Sequence, residues 1–397
     1  MATGQIHHLQ TLSNEDCWKL FTEHAFGDNV DLNDYQNLQT LLLSWCKKLS
    51  LLPKNMGSLI NLRYLDIEGV PLKEMPQQIN QMKHLQFLSN VVLSDRHING
   101  GIKIKRDILD ALRPHTNLKH LEIDNYRGTT FSDSIGDFAF SNLVSIKISN
   151  CKNCCILPHV GQLAFLKSLI IDGCDRVISI GDEIHHKGPQ FSCLEVLRIE
   201  NMLVWKDWSF SNEAMQGGKI FPLLKRLVLM NCPKLSVGLP GYLPSLEHLI
   251  ICNCEKMVVL LPENTTDHYI PSLYCHHFSK TLFENCKQWD LQRLSSLEYI
   301  NISGWDDDSF LEEGILPKTM TKLDIWNSSN LETLNSKAFQ QLTSLTSLAI
   351  GFCKSLRCLP EEGLPTSLSR LSHLLKQRCE KGEDWHKIEH IDAKVFH

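Results

Sequence analysis

Apolar residues recur along this chain at a fixed offset. Leu345, Leu348, Ile350, Cys353, Leu356 and Leu359 spell L-x-x-L-x-I-x-x-C-x-x-L-x-x-L, followed by Pro360. Leu348 and Ile350 flank a single residue, the period of a strand that buries one face, and the later apolar positions turn the chain back beneath that strand. One such unit cannot cover its own apolar side. Burying a Leu or Ile is worth roughly 1.5–3 kcal/mol, so the pattern makes sense only if copies stack. Equivalent anchors stand at Leu38, Leu62, Leu85, Leu118, Leu143, Leu166, Leu194, Leu224, Leu246, Leu297, Met320 and Leu345, with a remnant at Leu368. Most steps between them are 22 to 25 residues.

The pattern predicts an α/β solenoid, a leucine-rich-repeat horseshoe of about 13 repeats, with a parallel β-sheet on its concave face and an irregular, short-helical convex side. Two steps are long. The 51-residue step from Leu246 to Leu297 holds a degraded copy at Leu273–Phe278, and the 33-residue step from Leu85 to Leu118 holds an outer helix over Asp107–Arg113. Pro53, Pro76, Pro158, Pro240 and Pro360 sit where units leave the strand side, where no amide is needed for a ladder.

Three segments follow. Residues 1–30 lie outside the period and predict a short helix entered through Ser13, with Asp16 three residues on and Gly27 at its end. Residues 36–375 form the repeat domain. Residues 376–397 form a charged tail that caps the last repeat, with Trp385 and Ile388 covering its open apolar edge.

Within L-x-x-L-x-L-x-x, the residue between the two inward positions and the one after them face the concave side. The early copies are acidic there, with Asp66, Glu68, Glu122 and Asp124. Lys147, Arg198 and Glu200 add mixed charge, and Ile170, Val228, Met230 and Ile250 form an apolar ribbon. Asp324 and Trp326 follow. These thirteen residues are the candidate partner-binding face. A Trp held on a rigid strand and turned to solvent is a typical anchor for a protein partner.

Composition narrows the rest. The net charge of -5 gives no support to nucleic acid or anionic membrane as main partner. No apolar run approaches the length of a membrane span, and the first residues lack the blocks of a signal peptide, so the expectation is cytoplasmic, with the nucleus as alternative. Of 15 Cys, six (Cys46, Cys151, Cys174, Cys232, Cys254 and Cys353) fall on one inward slot, which favours burial over disulfides, zinc or redox pairing. Cys252 is expected to be an exposed thiol. His185-His186, Cys275-His276-His277 and Asp306-Asp307-Asp308 lack the spacing of a built metal site. No G-x-S-x-G elbow occurs, and a solenoid face offers few pockets that exclude water, so no enzyme activity is expected.

Certain segments carry a closer likeness. Cys151-Lys-Asn-Cys154 followed by Leu157-Pro158, Gly161-Gln-Leu163 and Leu166-Lys167, then Leu109–His115 with Asn117-Leu118, and Leu375–Cys379 with Gly382–Trp385 resemble the leucine-rich-repeat region of plant intracellular disease-resistance receptors of the coiled-coil, nucleotide-binding, leucine-rich-repeat class. Leu9–Phe26 looks like a short stretch from inside that family's nucleotide-binding module, and what the family places between that stretch and the repeats is absent. The resemblance implies a role in plant innate immunity: recognition of a pathogen effector or a guarded host protein, or contact with a nucleotide-binding module held inactive. The family binds ADP or ATP, but Gly218-Lys219-Ile220 with Glu213 is not a phosphate loop, so no cofactor is expected here. An adaptor or substrate-receptor solenoid and a non-functional receptor remnant are the alternatives.

Overall fold

The computed structural model describes residues 37–73, 75–92, 117–131, 135, 140–181, 191–210, 220–236, 239, 243–257, 272–276, 291, 296–305, 309–310, 312–374 and 385–396. The helices expected over 1–30 and 107–113 lie outside these. So do His185-His186, His277, Asp306–Asp308 and Gly218-Lys219.

Among the described residues, a 15-stranded sheet runs through the molecule with every neighbouring pair parallel and the strands in chain order, a short outer strand being passed over at four steps. Leu-x-Ile registers directly on Leu-x-Ile from coil to coil: Leu121 pairs with Ile146, Leu169 with Leu197, and Leu348 with Leu323 and Leu371. The inward side chains therefore stack in continuous columns. Leu62, Leu85, Leu118, Leu143, Leu166, Leu194, Leu224, Leu246, Leu297, Met320 and Leu345 are fully enclosed. The hydrophobic core is a single cluster that runs from Leu41 to Ile391. This is the one-dimensional burial expected of a solenoid, where each coil covers its neighbour's apolar face.

The long step from Leu246 to Leu297 is filled by a full strand, Ser272–His276, in unbroken register with His248–Cys252 on one side and Tyr299–Ser303 on the other. The copy is degraded in sequence but regular in backbone. Two irregularities interrupt the sheet. Phe87–Val92 shifts register against His120–Asp124 between Leu88 and Val91, and Arg370–Leu374 shifts against Ala393–Phe396 between Ser372 and Leu374. The second falls at His373, where a bulge lets the strand pair on either side of it.

The outer side is made of short pieces. Pro53 and Pro76 precede the 3-10 turns Lys54–Ser58 and Gln77–Gln81. The helix Ser336–Gln340 is capped by Asn335, whose side chain accepts from the Ala338 amide at 3.1 Å. Small two-stranded pairings join Ser179–Gly181 to Asp207–Ser209 and Ser309–Phe310 to Thr333–Leu334. Gly181 is obligatory in the first, since a Cβ there would stand 2.3 Å from the Ser209 carbonyl carbon. At the end of the chain a 3-10 turn, Trp385–Lys387, leads to the strand Ala393–Phe396, with Ile388 and Ile391 buried beneath.

Candidate functional site

Each concave strand offers three outward residues. Where the face begins, the first outward row is aromatic: Tyr64, Phe87 and His120 lie side by side in register. The Tyr64 and Phe87 rings are parallel within 5° at 4.0 Å, and Phe87 meets His120 at 5.9 Å. The next rows hold Asp66, Glu68, Glu122 and Asp124. Asp66 and Asp124 are held in place. Ser89 donates its hydroxyl to Asp66 at 2.7 Å while accepting from the Ile67 amide at 2.7 Å, and the Glu68 amide also donates to Asp66 at 3.1 Å. Asp124 accepts from the Ser149 hydroxyl at 2.8 Å and the Asn150 amide group at 2.7 Å. Desolvation pushes the Glu122 carboxyl above its ordinary range; Lys147 opposes that, and Glu68, Asp66 and Asp124 reinforce it. Burial, then Lys119, lowers His120, which keeps its ring neutral at pH 7.

Further along, Lys147, Ile170, Met230 and Ile250 are half-buried, while Arg198 is exposed and ion-paired with Glu200. Three expectations fail here. Val228, assigned to the exposed ribbon, is only 3% exposed, and Cys252, expected to be an open thiol, only 4%. Asp324, in the same outward row, is 7% exposed. Alternation correctly aims these side chains off the core, but it says nothing of their neighbours. Val228 is short and lies between Arg198 and Ile250 in the register. Asp324 is enclosed by its own strand's Lys322, at 3.3 Å, and by Tyr299, whose hydroxyl donates to it at 2.7 Å. Lys322 also sits over the Tyr299 ring, 4.2 Å from its centroid. The outward-row residues Ser149, Ser303 and Ala349 are likewise buried.

Trp326 is half-buried and leans across Gly351, where a Cβ would come within 2.1 Å of its ring. Beside it, Phe352 is 71% exposed at φ 56°, 6.1 Å from Trp326. Phe352 belongs to a column the outward-row reading passes over. Seven past most anchors, one to three residues after the strand, the backbone is left-handed: Trp45, Gly69, Asn125, Asn150, Gly173, Asn201, Asn231, Asn253, Gly304, Asn327 and Phe352. Asn and Gly suit positive φ because a Cβ is costly there and a short amide bonds locally. The Asn side chains form a ladder: Asn201 donates to Asp172 at 2.6 Å, Asn231 to Asn201 at 2.7 Å, and Asn253 to Asn231 at 2.6 Å. The recurring Asn or Gly was visible in the sequence.

The cysteine slot follows this column. Cys151, Cys232, Cys254 and Cys353 are buried and donate S–H to the carbonyl two residues back, at 3.2 to 3.4 Å. Burial pushes the Cys154 thiol up to about 12, so it stays protonated and inert. Cys46 departs from the expected burial: it is exposed in the first described coil. Among the described residues, no group of three or more His, Cys, Asp or Glu could hold a metal ion, and no helix is long and apolar enough to cross a membrane.

Parallel strands in register, inward Leu columns and the asparagine ladder define a leucine-rich-repeat protein. Residues 73–174 match the R13L1/DRL21 LRR family model. The repeats are similar to those of plant disease-resistance proteins: 36% identical over 147 residues to RPP13-like protein 1 of Arabidopsis thaliana (35% of this chain, 14% of the relative), and 35% over 141 residues to RGA1 of Solanum bulbocastanum (34% and 13%). The likeness thus spans about a seventh of each relative's length and covers the repeat region only. Among solved structures, a leucine-rich-repeat protein of Leptospira interrogans is 18% identical with a TM-score of 0.45, covering 92% of this chain and 91% of its own.

Proposed function

We propose that this chain is the recognition module of a plant disease-resistance protein, and that its concave face binds another protein: a pathogen effector, a host protein that an effector modifies, or a nucleotide-binding module kept inactive. The observation that carries the reading is the set of outward side chains left open on the concave sheet, Tyr64, Glu68 and Arg198 among them, with the exposed Phe352 beside it, on a backbone whose inward rows are sealed. A rigid strand face with exposed aromatics and ordered carboxylates is suited to a protein surface. The similarity to disease-resistance proteins supplies the biological setting. The chain acts here by binding and uses no cofactor of its own. The test is a pull-down from leaf extract with the full chain beside a variant carrying Met230→Glu and Trp326→Glu. A partner retained equally by both would refute a concave site.

A further inference from the structure

The beginning of the concave face differs in kind from the rest. Tyr64, Phe87 and His120 form a continuous aromatic row. Phe87 covers one side of the Tyr64 ring. The strand on Tyr64's other side presents Thr40 in register, and both Thr40 and Leu42 are exposed. Two residues along the strands, roughly 7 Å away, lie Asp66 and Glu122, with Glu68 and Asp124 two further on. Lys147 is the neighbouring cation that bears on Glu122. Hydrogen bonds from Ser89, Ser149 and Asn150 hold two of the carboxylates at fixed positions, so little ordering is left for a ligand to impose.

Resting on the reading of the concave face as a protein-binding surface, we propose that this patch seats an arginine-bearing segment of the partner protein, with one guanidinium laid on the Tyr64 ring and paired with Asp66 and Glu68, and a second basic side chain between Glu122 and Asp124. The occupant follows from charge and shape. Four carboxylates against two lysines, Lys147 acting on Glu122 and Lys119 on His120, leave a surplus of negative charge that a cation relieves, and a neutral His120 adds a ring without repelling it. A planar guanidinium both stacks on an aromatic face and forks to a carboxylate, which a lysine ammonium does not.

The experiment uses the full chain and two fluorescent peptides, hexa-arginine and hexa-lysine, titrated by anisotropy at physiological salt. The arginine peptide is expected to bind about threefold or more tighter, the factor a stacked guanidinium supplies at an exposed site. Asp66→Asn with Glu122→Gln should weaken both peptides about tenfold, whereas Tyr64→Leu should abolish the arginine preference and leave lysine binding in place. Circular dichroism of each variant shows whether the fold is kept. Equal affinity for the two peptides, or an equal loss from Glu361→Gln with Glu362→Gln at a distant exposed site, would overturn the proposal. A leaf partner lost on charging Met230 and Trp326 while hexa-arginine fails to bind would leave the concave reading standing and remove this one. Peptide binding with no leaf partner lost would leave the arginine site standing and remove Met230 and Trp326 from the partner surface.

Discussion

The first concave coils and the middle ones share one backbone and differ in what they leave open. From Tyr64 to Asp124 the outward residues named above are charged or aromatic, the buried Ser89 excepted, and Glu68 and Tyr64 remain exposed. From Ile170 to Cys252 charged residues such as Arg198 and Glu200 alternate with apolar ones, and of the apolar ones Ile170, Met230 and Ile250 are half-buried while Val228 and Cys252 are as sealed as core residues. Like charges hold their side chains apart and in water, while β-branched neighbours close ranks on a pleated surface. An apolar ribbon already covered by its own neighbours has little area left to remove from water, and each Å² is worth only about 25 cal/mol. The open, preordered coils at the start therefore have more to offer a partner than the ribbon that hydrophobicity alone would favour.

The strongest challenge to that comparison is a pair of substitutions in one row. Val228→Asp places a charge in an enclosed slot and should cost about 3 kcal/mol or more in denaturant unfolding, whereas Ile170→Asp, half-buried two strands earlier, should cost about 1 kcal/mol. Equal losses would mean the two regions do not differ. Next in size, Ser89→Ala removes the hydroxyl shared by Asp66 and the Ile67 amide and should lower stability by roughly 1–2 kcal/mol. An unchanged melting point would show that the acidic coils are not preordered. Phe352→Asn restores the residue type that suits the left-handed slot and should raise stability by about 0.5–1 kcal/mol.

Smallest is Glu122→Gln, expected to stabilise by a few tenths of a kcal/mol at neutral pH, discounted for its half exposure. The sign follows from the raised folded pKa. The folded state carries a penalty for the ionised carboxylate above that value, and the penalty fades as pH falls through the window down to the ordinary 4.5. The advantage of the Gln variant should therefore vanish in acid. A melting series from pH 7 to pH 3 tests it.

The inward columns were legible because burial tolerates so few residue types at a fixed spacing: Leu62 to Leu345 all lie where the period puts them, and Met320 fills its slot as a flexible substitute. The outward rows were legible in direction only. Val228, Cys252 and Asp324 point as expected, yet whether water reaches them is decided by side chains on adjacent strands, 22 or more residues away in sequence, and for Asp324 also by Lys322 of its own strand. The aromatic stack escaped notice for the same reason. Tyr64, Phe87 and His120 are unremarkable singly, and their relation exists only once the strands are in register.

Register is unbroken over a step of 22 residues, from Arg226 to His248, and over one of 30, from Val196 to Arg226, so spacing and register are separable in this fold. The connections between strands lengthen without displacing a single rung. A lineage can thus expand or trim the periphery freely while rewriting the contact rows letter by letter, and two descendants of unequal length could still present superimposable faces to different antagonists.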